Sequence, residues 1–569
     1  MEKEKKIEIR INEKQHITAK SGENLLKTLR DSGAYISAVC GGRGVCGKCA
    51  VRVTAGFLPV TPADEAYFPP ADIRGGWRLA CAGFPQSDLA LEIPETGEEH
   101  FSGISDFQFD SRVCALEERR FIPEKSPVSF ARQIKPERPL TFSELRETSK
   151  LAERPCGSEV PVFFEQGKIL HVGPEKLFGL AVDIGTTTIA FAAADLRTGT
   201  VLRKFSMVNR QREYGADVLS RIRLANEGGL AELSRRVRDQ IAEGVGTLRS
   251  DPDIGVLAKI VIAGNTAMLH FLLGISCKTL GISPFTPVTL DLVRARYGEL
   301  FSGDGDCEVV ILPGISGYVG ADITAGIFFT DLHSSTVPEG FMDIGTNGEM
   351  ALAYSGKLLC AATAAGPAFE GGNILWGIGS VPGAIARVDF RDGGFAVETI
   401  GNLPPAGICG SGIVDTAYQG LKQGFILSSG KFAEGLREIT LGNHPDGRNI
   451  IFTQKDVREL QLAKSAIRSG FDALLNRAEL GYEDLQVLHL AGGFGFNLHL
   501  ASAAGLGLIP EPLIPKVRLA GNSALGGAVK YLLNPDYEDE FFRIIEKAEE
   551  WNLPGDAYFN EYFIDNLSF

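Results

Sequence analysis

The sequence predicts a multidomain protein with a small α+β domain, a small middle domain and a large two-lobed α/β domain. Three observations predict this fold class. Four of the ten cysteines lie in the first 81 residues, the hydrophobic patterning weakens after residue 95, and the motif Asp-Ile-Gly-Thr occurs twice, at Asp183–Thr186 and Asp343–Thr346. A chain of 569 residues has room for about three to five domains or subdomains.

The composition is that of a globular protein and excludes several functions. Apolar residues make up 44% and charged residues 22% of the chain. The formal net charge of -14 disfavours binding to nucleic acids or to anionic membranes, which need a cationic surface. The first ten residues are charged rather than apolar, so we expect no secretory signal and a cytoplasmic location. The uncharged span Ile260–Cys277 contains Gly264 and Asn265, and fits a strand, a turn and an apolar helix better than a membrane span.

Four cysteines near the N-terminus are spaced to hold an iron–sulfur cluster. Cys40, Cys46 and Cys49 share one glycine-rich loop, and Cys81 follows in a later segment. Three thiolates on a short loop and a fourth from elsewhere are typical of a [2Fe–2S] site. The alternative, a structural zinc site, usually needs two Cys-x-x-Cys units, and this segment has one. The six other cysteines are scattered, so we interpret them as reduced residues of the core.

The segments around these cysteines predict a small β-grasp fold. Lys6–Ile11 alternates like a half-buried strand, and Gln15–Ala19 is predicted to be its hairpin partner. We expect a helix capped by Ser21 to follow, and two more strands at 50–54 and 89–93. This domain resembles a ferredoxin. The gap of five residues between the first two cysteines is closer to adrenodoxin-like than to plant-type spacing.

The patterning is weakest between the cysteine-rich domain and the large domain. This region carries charged, proline-containing runs such as PEKSP and KPERP, and the stretch 160–172 predicts one hairpin. We interpret the region as a linker and a small docking domain that offers a surface for a homodimer. The predicted boundaries are 1–95 for the ferredoxin-like domain, 96–112 for the linker, 113–176 for the middle domain and 177–569 for the large domain, with lobes at about 177–335 and 336–569.

Internal repeats indicate that the large domain is duplicated. Each Asp-Ile-Gly-Thr motif joins two β-rich runs, as in a hairpin. A second pair of segments shares Ala-Gly-Asn, at 261–269 and 518–528, and a third pair of small-residue helices lies at 317–327 and 407–418. Glycine in such hairpins permits close approach to phosphate oxygens, threonine hydroxyls donate to them, and an aspartate at a strand end can hold hydrated Mg²⁺.

This pattern resembles the superfamily of acetate and sugar kinases, heat-shock chaperones and actin, whose two lobes are duplicated ribonuclease-H-like subdomains. The resemblance implies an actin-like ATPase domain that binds ATP with Mg²⁺ between the two hairpins, with adenosine at the Gly-Gly turn of LHLAGGFG. The implied phosphate, metal and adenosine residues are Asp183, Gly185, Thr186, Thr187, Thr188, Asp343, Gly345, Thr346, Asn347, Gly492 and Gly493. Glu349 is predicted to orient an attacking water, with a surface strand position as the alternative. Trp376, in a glycine-rich run, is a candidate for contact with a partner or a cofactor, with burial in the core as the alternative.

An electron carrier fused to an ATPase makes sense when an electron must reach an acceptor of lower potential. For one electron, about 200 mV uphill costs roughly 4.6 kcal/mol. Almost the whole chain resembles the reductive activators of corrinoid-dependent enzymes.

This second resemblance implies the function and the partners. A [2Fe–2S] cluster would reduce the inactive Co(II) corrinoid of a partner protein in a methyltransferase system to Co(I), with ATP hydrolysis. Such partners serve O-demethylases or the acetyl-CoA pathway of anaerobes, and an upstream low-potential donor would supply the electron. The implied cluster ligands are Cys40, Cys46, Cys49 and Cys81. Two alternatives stay open, namely a small-molecule kinase with an accessory ferredoxin domain and an electron carrier that does not hydrolyse ATP.

Overall fold

The structure, a computed structural model, covers most of the chain. It describes residues 6–13, 15–32, 36, 42, 44, 49–93, 107, 116–136, 138–155, 157–173, 176–215, 217–303, 307–493 and 498–569. The predicted ligands Cys40 and Cys46, and nearly all of the predicted linker at 96–112, lie outside the described residues. Among the described helices, none has the length and apolar character needed to cross a bilayer.

The N-terminal domain is a five-stranded mixed sheet with one longer helix packed on it. Its elements are β1 (Lys6–Ile11), β2 (Gln15–Lys20), α1 (Leu25–Asp31), β3 (Ala50–Gly56), α2 (Pro62–Tyr67), α3 (Pro70–Arg74), β4 (Trp77–Leu79) and β5 (Leu89–Glu92). The strand order is β2-β1-β5-β3-β4, with β1 parallel to β5. The isoleucines of β1 alternate into a core that they share with the leucines of α1, so the predicted strands and the β-grasp arrangement are confirmed.

The cap of α1 lies later than predicted. Oδ1 of Asn24 accepts a hydrogen bond from the N–H of Lys27 at 3.2 Å. The prediction of Ser21 as the cap is wrong, because its hydroxyl donates to the carbonyl oxygen of Gln86 instead. Asn24 also donates from Nδ2 to the carbonyl oxygen of Cys81 at 2.8 Å. The same residue therefore begins the helix and ties it to the segment of the fourth cysteine.

The small middle domain is a three-stranded antiparallel sheet with two helices. Its elements are β6 (Leu116–Phe121), α4 (Phe130–Gln133), α5 (Phe142–Ser149), β7 (Val160–Glu165) and β8 (Lys168–Val172). The strand order is β6-β7-β8, and the β7–β8 pair confirms the hairpin predicted within this region.

A buried ion pair joins the middle domain to the large domain. Nζ of Lys259, which is fully buried, lies 2.9 Å from Oε2 of Glu165 in β7. Phe163 of the same strand packs into the core of the large domain. A buried cation is tolerated only when it is paired, so the two domains are held together at this point.

The first half of the large domain is built on a six-stranded sheet. Its elements are β9 (Leu177–Ile184), β10 (Thr188–Asp195), β11 (Val201–Val208), α6 (Val218–Leu224), α7 (Leu230–Arg249), β12 (Val256–Gly264), α8 (Thr266–Leu273), β13 (Val293–Arg296), α9 (Tyr297–Leu300), β14 (Glu308–Ile311) and α10 (Ala321–Phe329). The strand order is β11-β10-β9-β12-β14-β13. The span Ile260–Cys277 contains the end of β12 and all of α8, as predicted.

The second half repeats this sheet and adds two smaller ones. Its elements are β15 (Glu339–Ile344), β16 (Gly348–Tyr354), β17 (Lys357–Thr363), β18 (Ala384–Arg391), β19 (Gly394–Thr399), β20 (Gly407–Ile408), α11 (Gly410–Lys422), β21 (Glu438–Asn443), β22 (Asn449–Thr453), α12 (Gln454–Arg477), β23 (Val487–Ala491), α13 (Leu500–Gly505), β24 (Val517–Gly521), α14 (Ser523–Leu533), α15 (Glu538–Lys547), β25 (Ala548–Glu550) and α16 (Ala557–Asp565). The main sheet has the order β24-β23-β15-β16-β17-β25, and the two smaller sheets are β19-β18-β20 and β21-β22. In both halves an antiparallel three-stranded unit continues into two parallel strands, so the predicted duplication is confirmed.

The last helices cross back to the first half. α14 packs closely on α10, where a Cβ added to Gly527 would lie 2.1 Å from the carbonyl oxygen of Ala325. Leu525 of α14 and Phe541 of α15 belong to the apolar core of the first sheet. In space, the first lobe therefore includes chain segments from beyond residue 336.

Candidate functional site

The segments of two predicted cluster ligands lie side by side in the N-terminal domain. Cys49 is buried just before β3, and Cys81 is buried in the turn after β4. The N–H of Ala80 donates to the carbonyl oxygen of Cys49 at 2.9 Å, which holds the two segments together. A Cβ on Gly42, in the loop between the other two cysteines, would lie 3.8 Å from Cβ of Cys81. Gly42 and Cys49 therefore lie close to the segment of Cys81, and the two buried thiols fit an iron–sulfur cluster.

The second site is the cleft where the two hairpins meet. Asp183 lies near the end of β9 and Asp343 near the end of β15, and the hairpin loops follow directly. Oγ1 of Thr187 lies 3.3 Å from Oγ1 of Thr346, so the loops of the two halves touch. Oε2 of Glu370 accepts a hydrogen bond from each of these hydroxyls, at 2.5 Å from Thr187 and 2.7 Å from Thr346.

Hydrogen bonds from Asn209 and Arg221 fix the backbone of the first hairpin loop. Nδ2 of Asn209 donates to the carbonyl oxygen of Gly185 at 2.8 Å. The backbone N–H of Asn209 donates to the carbonyl oxygen of Thr187 at 2.9 Å. The guanidinium of Arg221, which is fully buried, donates to the carbonyl oxygen of Thr186 at 2.6 Å. Because three consecutive carbonyl groups are satisfied in this way, the conformation of the loop is fixed before any ligand arrives.

The second hairpin is a tighter turn with an acidic pair. The N–H of Gly345 donates to the carbonyl oxygen of Asn347 at 3.0 Å. Asp343 and Glu349 lie directly opposite each other in the β15–β16 ladder. Glu349 is only 6% exposed, so the alternative of a surface strand position is wrong.

Several carboxylates share this cleft and raise one another's pKa values. Burial raises the pKa of Asp343 to about 8, with help from the charges of Asp322, Asp183 and Glu370. Burial raises the pKa of Asp183 to about 6. Burial and the charge of Asp183 raise the pKa of Asp322, and burial with the charges of Asp322 and Asp343 raises the pKa of Glu349 well above its ordinary value. Such a concentration of negative charge needs a cation when all groups are ionised.

The donor set fits a hydrated magnesium ion. Among the described residues, no three histidine, cysteine, aspartate or glutamate side chains lie close enough together to ligate one ion directly. Mg²⁺ usually keeps several waters and binds through one or two carboxylates plus phosphate oxygens. The partly buried carboxylates of Asp183 and Asp343, one from each lobe, suit that mode.

The predicted adenosine turn touches the same cleft. Gly492 follows β23 with a φ of 96°, and a Cβ there would lie 2.7 Å from Oδ1 of Asp343. A side chain at this position would therefore collide with the carboxylate, which explains the glycine. Gly493 follows in the same turn, and residues 494–497 lie outside the described part of the chain.

Four residues of the cleft were not singled out from the sequence. Asp322 lies in the first turn of α10, Glu370 lies in GPAFEGG, and Asn522 follows β24 and donates to Oδ2 of Asp183 at 2.9 Å. Each of these three residues lies in a glycine-rich or repeated motif. A polar side chain among small residues could therefore have identified them as site residues from the sequence. Arg221 lies in an ordinary amphipathic helix and gives no such signal.

Comparisons with known proteins match this arrangement from end to end. Domain families described as "2Fe-2S iron-sulfur cluster binding domain", "RACo middle region" and "C-terminal domain of RACo the ASKHA domain" match residues 9–86, 178–335 and 339–569. The solved structure titled "Reductive activator for corrinoid,iron-sulfur protein" is 30% identical, with a TM-score of 0.74, and the match covers 99% of this chain and 98% of that one.

The chain belongs to the family of reductive activators of corrinoid proteins.

Curated relatives agree with this family. "Corrinoid activation enzyme RamQ" of Eubacterium limosum is 29% identical over 94% of both chains. "[Co(II) methylated amine-specific corrinoid protein] reductase" of Methanosarcina barkeri is 25% identical over 69% of this chain and 77% of the relative. Members of the activator family thus combine a [2Fe–2S] domain with an ATPase of the actin-like superfamily, as the sequence predicts, and the zinc alternative is not supported.

Proposed function

We propose that this protein passes an electron to the Co(II) corrinoid of a partner methyl-transfer protein and hydrolyses ATP to do so, which restores Co(I). The observation that carries the proposal is the end-to-end match to a reductive activator, with the cysteine-rich domain and the two-hairpin cleft both present. The corrinoid protein is the electron acceptor.

The N-terminal domain supports the electron-transfer part. A [2Fe–2S] cluster, when bound, supplies a one-electron donor. Cys49 and Cys81 would provide two of its ligands, and the predicted ligands Cys40 and Cys46 would complete the set. The tie from Asn24 to the Cys81 segment keeps the fourth ligand in place relative to α1.

The cleft supports the ATPase part. Mg²⁺, when bound, compensates the charge of the phosphates. Thr187 and Thr346 present hydroxyl donors from the two lobes, and Asp183 and Asp343 would hold the ion from either side. Glu349 lies opposite Asp343 in the β15–β16 ladder and is buried in the cleft, where it can orient an attacking water.

The test is an anaerobic reduction assay with the full chain carrying its cluster. The chemically reduced protein is mixed with a Co(II) corrinoid protein of a methyltransferase system, and Co(I) is followed by its visible absorbance. We expect Co(I) with Mg-ATP and little with a non-hydrolysable analogue. Cys49→Ser should abolish reduction but keep nucleotide binding, whereas Cys277→Ala, at another buried cysteine, should retain both activities. Equal reduction without nucleotide, or phosphorylation of a small molecule, would contradict the proposal.

A further inference from the structure

The glycine-rich run around Glu370 is one compact loop that also carries Trp376. A Cβ added to Gly377 would lie 2.1 Å from the carbonyl oxygen of Gly371, so the backbone closes on itself between Glu370 and Trp376. The carbonyl oxygen of Trp376 accepts a hydrogen bond from the N–H of Ile408 at 2.8 Å. Glu370 and Trp376 are thus joined by a short, closely packed segment, and a displacement of that segment moves both residues.

Trp376 contacts the ferredoxin-like domain through an arginine. Cζ of Arg448, in the turn between β21 and β22, lies 4.9 Å from the ring centre of Trp376 and 5.3 Å from that of Trp77. Asp446 fixes the guanidinium, with Nε–Oδ2 at 2.8 Å and a terminal nitrogen at 2.6 Å. Trp77 begins β4, and the turn that holds Cys81 follows this strand directly. The aromatic stack therefore reaches from the ATPase domain to the neighbourhood of the predicted cluster.

The contact between Arg448 and the two tryptophans joins the ferredoxin-like domain to the large domain only weakly. The apolar core of the ferredoxin-like domain shares no residue with the cores of the large domain, among the residues that the structure describes. A guanidinium over an aromatic ring at a solvent-exposed site contributes little, and the side chain of Arg448 is 41% exposed. A ligand that binds the state without this contact modestly more tightly than the state with it is sufficient to open the contact.

The other end of the loop lies where phosphate must bind. Glu370 accepts the hydroxyl hydrogens of Thr187 and Thr346, which are the donors offered to a phosphate by the two hairpins. A triphosphate competes for both hydroxyls and repels the carboxylate. Nucleotide binding and the present position of Glu370 are therefore in competition.

We infer that the loop 366–378 couples nucleotide binding to the docking of the ferredoxin-like domain. When phosphates take the two threonine hydroxyls, Glu370 moves away, Trp376 withdraws from Arg448, and the stack with Trp77 opens. The ferredoxin-like domain is then free to approach the partner. This coupling deepens the proposed function and rests on it for its purpose, although the movement itself needs nucleotide alone.

The experiment uses the full chain with its cluster and measures the quenching of tryptophan fluorescence by acrylamide. Two of the three tryptophans form the stack, so opening it exposes most of the reporters. With Mg²⁺ and a non-hydrolysable ATP analogue, we expect the quenching constant to rise about twofold. The radius of gyration from small-angle X-ray scattering should rise in the same titration.

Matched variants separate the stack from the nucleotide site. Arg448→Gln should show the high quenching constant without nucleotide and no further rise when it is added. Arg437→Gln, at an exposed arginine before β21, should behave like the parent protein. In calorimetry Arg448→Gln should bind nucleotide more tightly than the parent protein, because binding no longer has to open the stack, whereas Arg437→Gln should bind with the parent's affinity.

Two outcomes would overturn the coupling. One is a parent protein that binds the analogue without any change in quenching or in radius of gyration. The other is an Arg448→Gln variant that responds like the parent. A normal quenching response in a protein that never reduces a Co(II) corrinoid would instead contradict the proposed function and leave the coupling intact.

Discussion

The two Asp-Ile-Gly-Thr hairpins share a motif and a topology, but they differ in the residue opposite the aspartate. Ala190 lies opposite Asp183 in the first ladder, whereas Glu349 lies opposite Asp343 in the second. Like charges directly opposite each other in a ladder are destabilising. The first hairpin therefore carries one carboxylate in its ladder, whereas the second carries a destabilising pair of carboxylates.

The supports behind the loops differ in the same sense. The first loop has its carbonyl groups bound by Asn209 and Arg221. Burial raises the pKa of Asp183, and a hydrogen bond from Asn522 limits that rise. Asp343 is surrounded by other carboxylates, which raise its pKa further than that of Asp183. We therefore propose that the first hairpin mainly binds phosphate and that the second handles a cation and a proton.

The largest expected effect comes from removing the charge of the acidic hairpin. Asp343→Asn should lower ATP hydrolysis by about 10³-fold, which corresponds to about 4 kcal/mol. The melting temperature without nucleotide should stay equal or rise, since the change relieves repulsion. Phosphate release and calorimetry measure the two. Asp565→Asn, at an exposed aspartate ending α16, serves as the control, and a variant that keeps more than a tenth of the rate would refute the role.

The difference between the two hairpins can be tested by placing a carboxylate opposite the aspartate of the first hairpin, as in the second. Ala190→Glu places a carboxylate opposite Asp183 at a position only 1% exposed. It should destabilise the fold by about 3 kcal/mol in urea unfolding, because it adds an unpaired buried charge. Ala190→Gln has nearly the same size and isolates the effect of charge. Equal losses in the two variants would show that packing, not repulsion, keeps alanine there.

A smaller effect is expected at the hydrogen bond to Asp183. Asn522→Asp keeps the cap of α14, whose Leu525 N–H is bound by Oδ1, but removes the donor to Asp183. Affinity for Mg-ATP should fall about tenfold at pH 7, close to the loss of one hydrogen bond to a charged group. Isothermal titration gives the affinity. Asn534→Asp, at another capping asparagine, should change little.

The pH dependence of stability should show the smallest effect. The pKa values of Asp183 and Asp343 are raised to about 6 and about 8, so the folded state binds protons that the unfolded chain has released. The free energy of unfolding without Mg²⁺ should therefore fall as the pH rises from 6 to 8, by about 1 kcal/mol per pH unit. Thermal scans at several pH values measure this slope. Asp343→Asn should flatten it, and an unchanged slope in that variant would assign the protons to other groups.

The sequence predicts much of this molecule because the decisive patterns are local. The alternation of Lys6–Ile11, the repeated Asp-Ile-Gly-Thr motif and the cysteine spacing each depend on neighbouring residues. The duplicated sheet followed from the repeats, and the burial of Cys277 and Cys360 followed from their scattered placement. The assignment of roles to Gly185, Thr186 and Thr188 is still a prediction.

What the sequence does not reveal depends on contacts between distant segments. Glu370 reaches Thr187 across 183 positions of the chain, and Asn522 reaches Asp183 across 339. No periodicity reports such a contact. Local patterns can also mislead, as the cap of α1 shows. Ser21 and Asn24 are both acceptable capping residues, and only the path of the backbone between them makes Asn24 the cap.

The buried pair of Lys259 and Glu165 has a consequence for dividing the chain into parts. Lys259 belongs to a central strand of the first lobe, and its partner comes from the domain before it. A fragment starting at residue 177 would contain the whole predicted ATPase but would leave that ammonium group in an apolar core with no counter-charge. The shortest fragment that can be expressed by itself therefore begins before β6. An evolutionary exchange of ferredoxin domains would likewise place its junction upstream of residue 116.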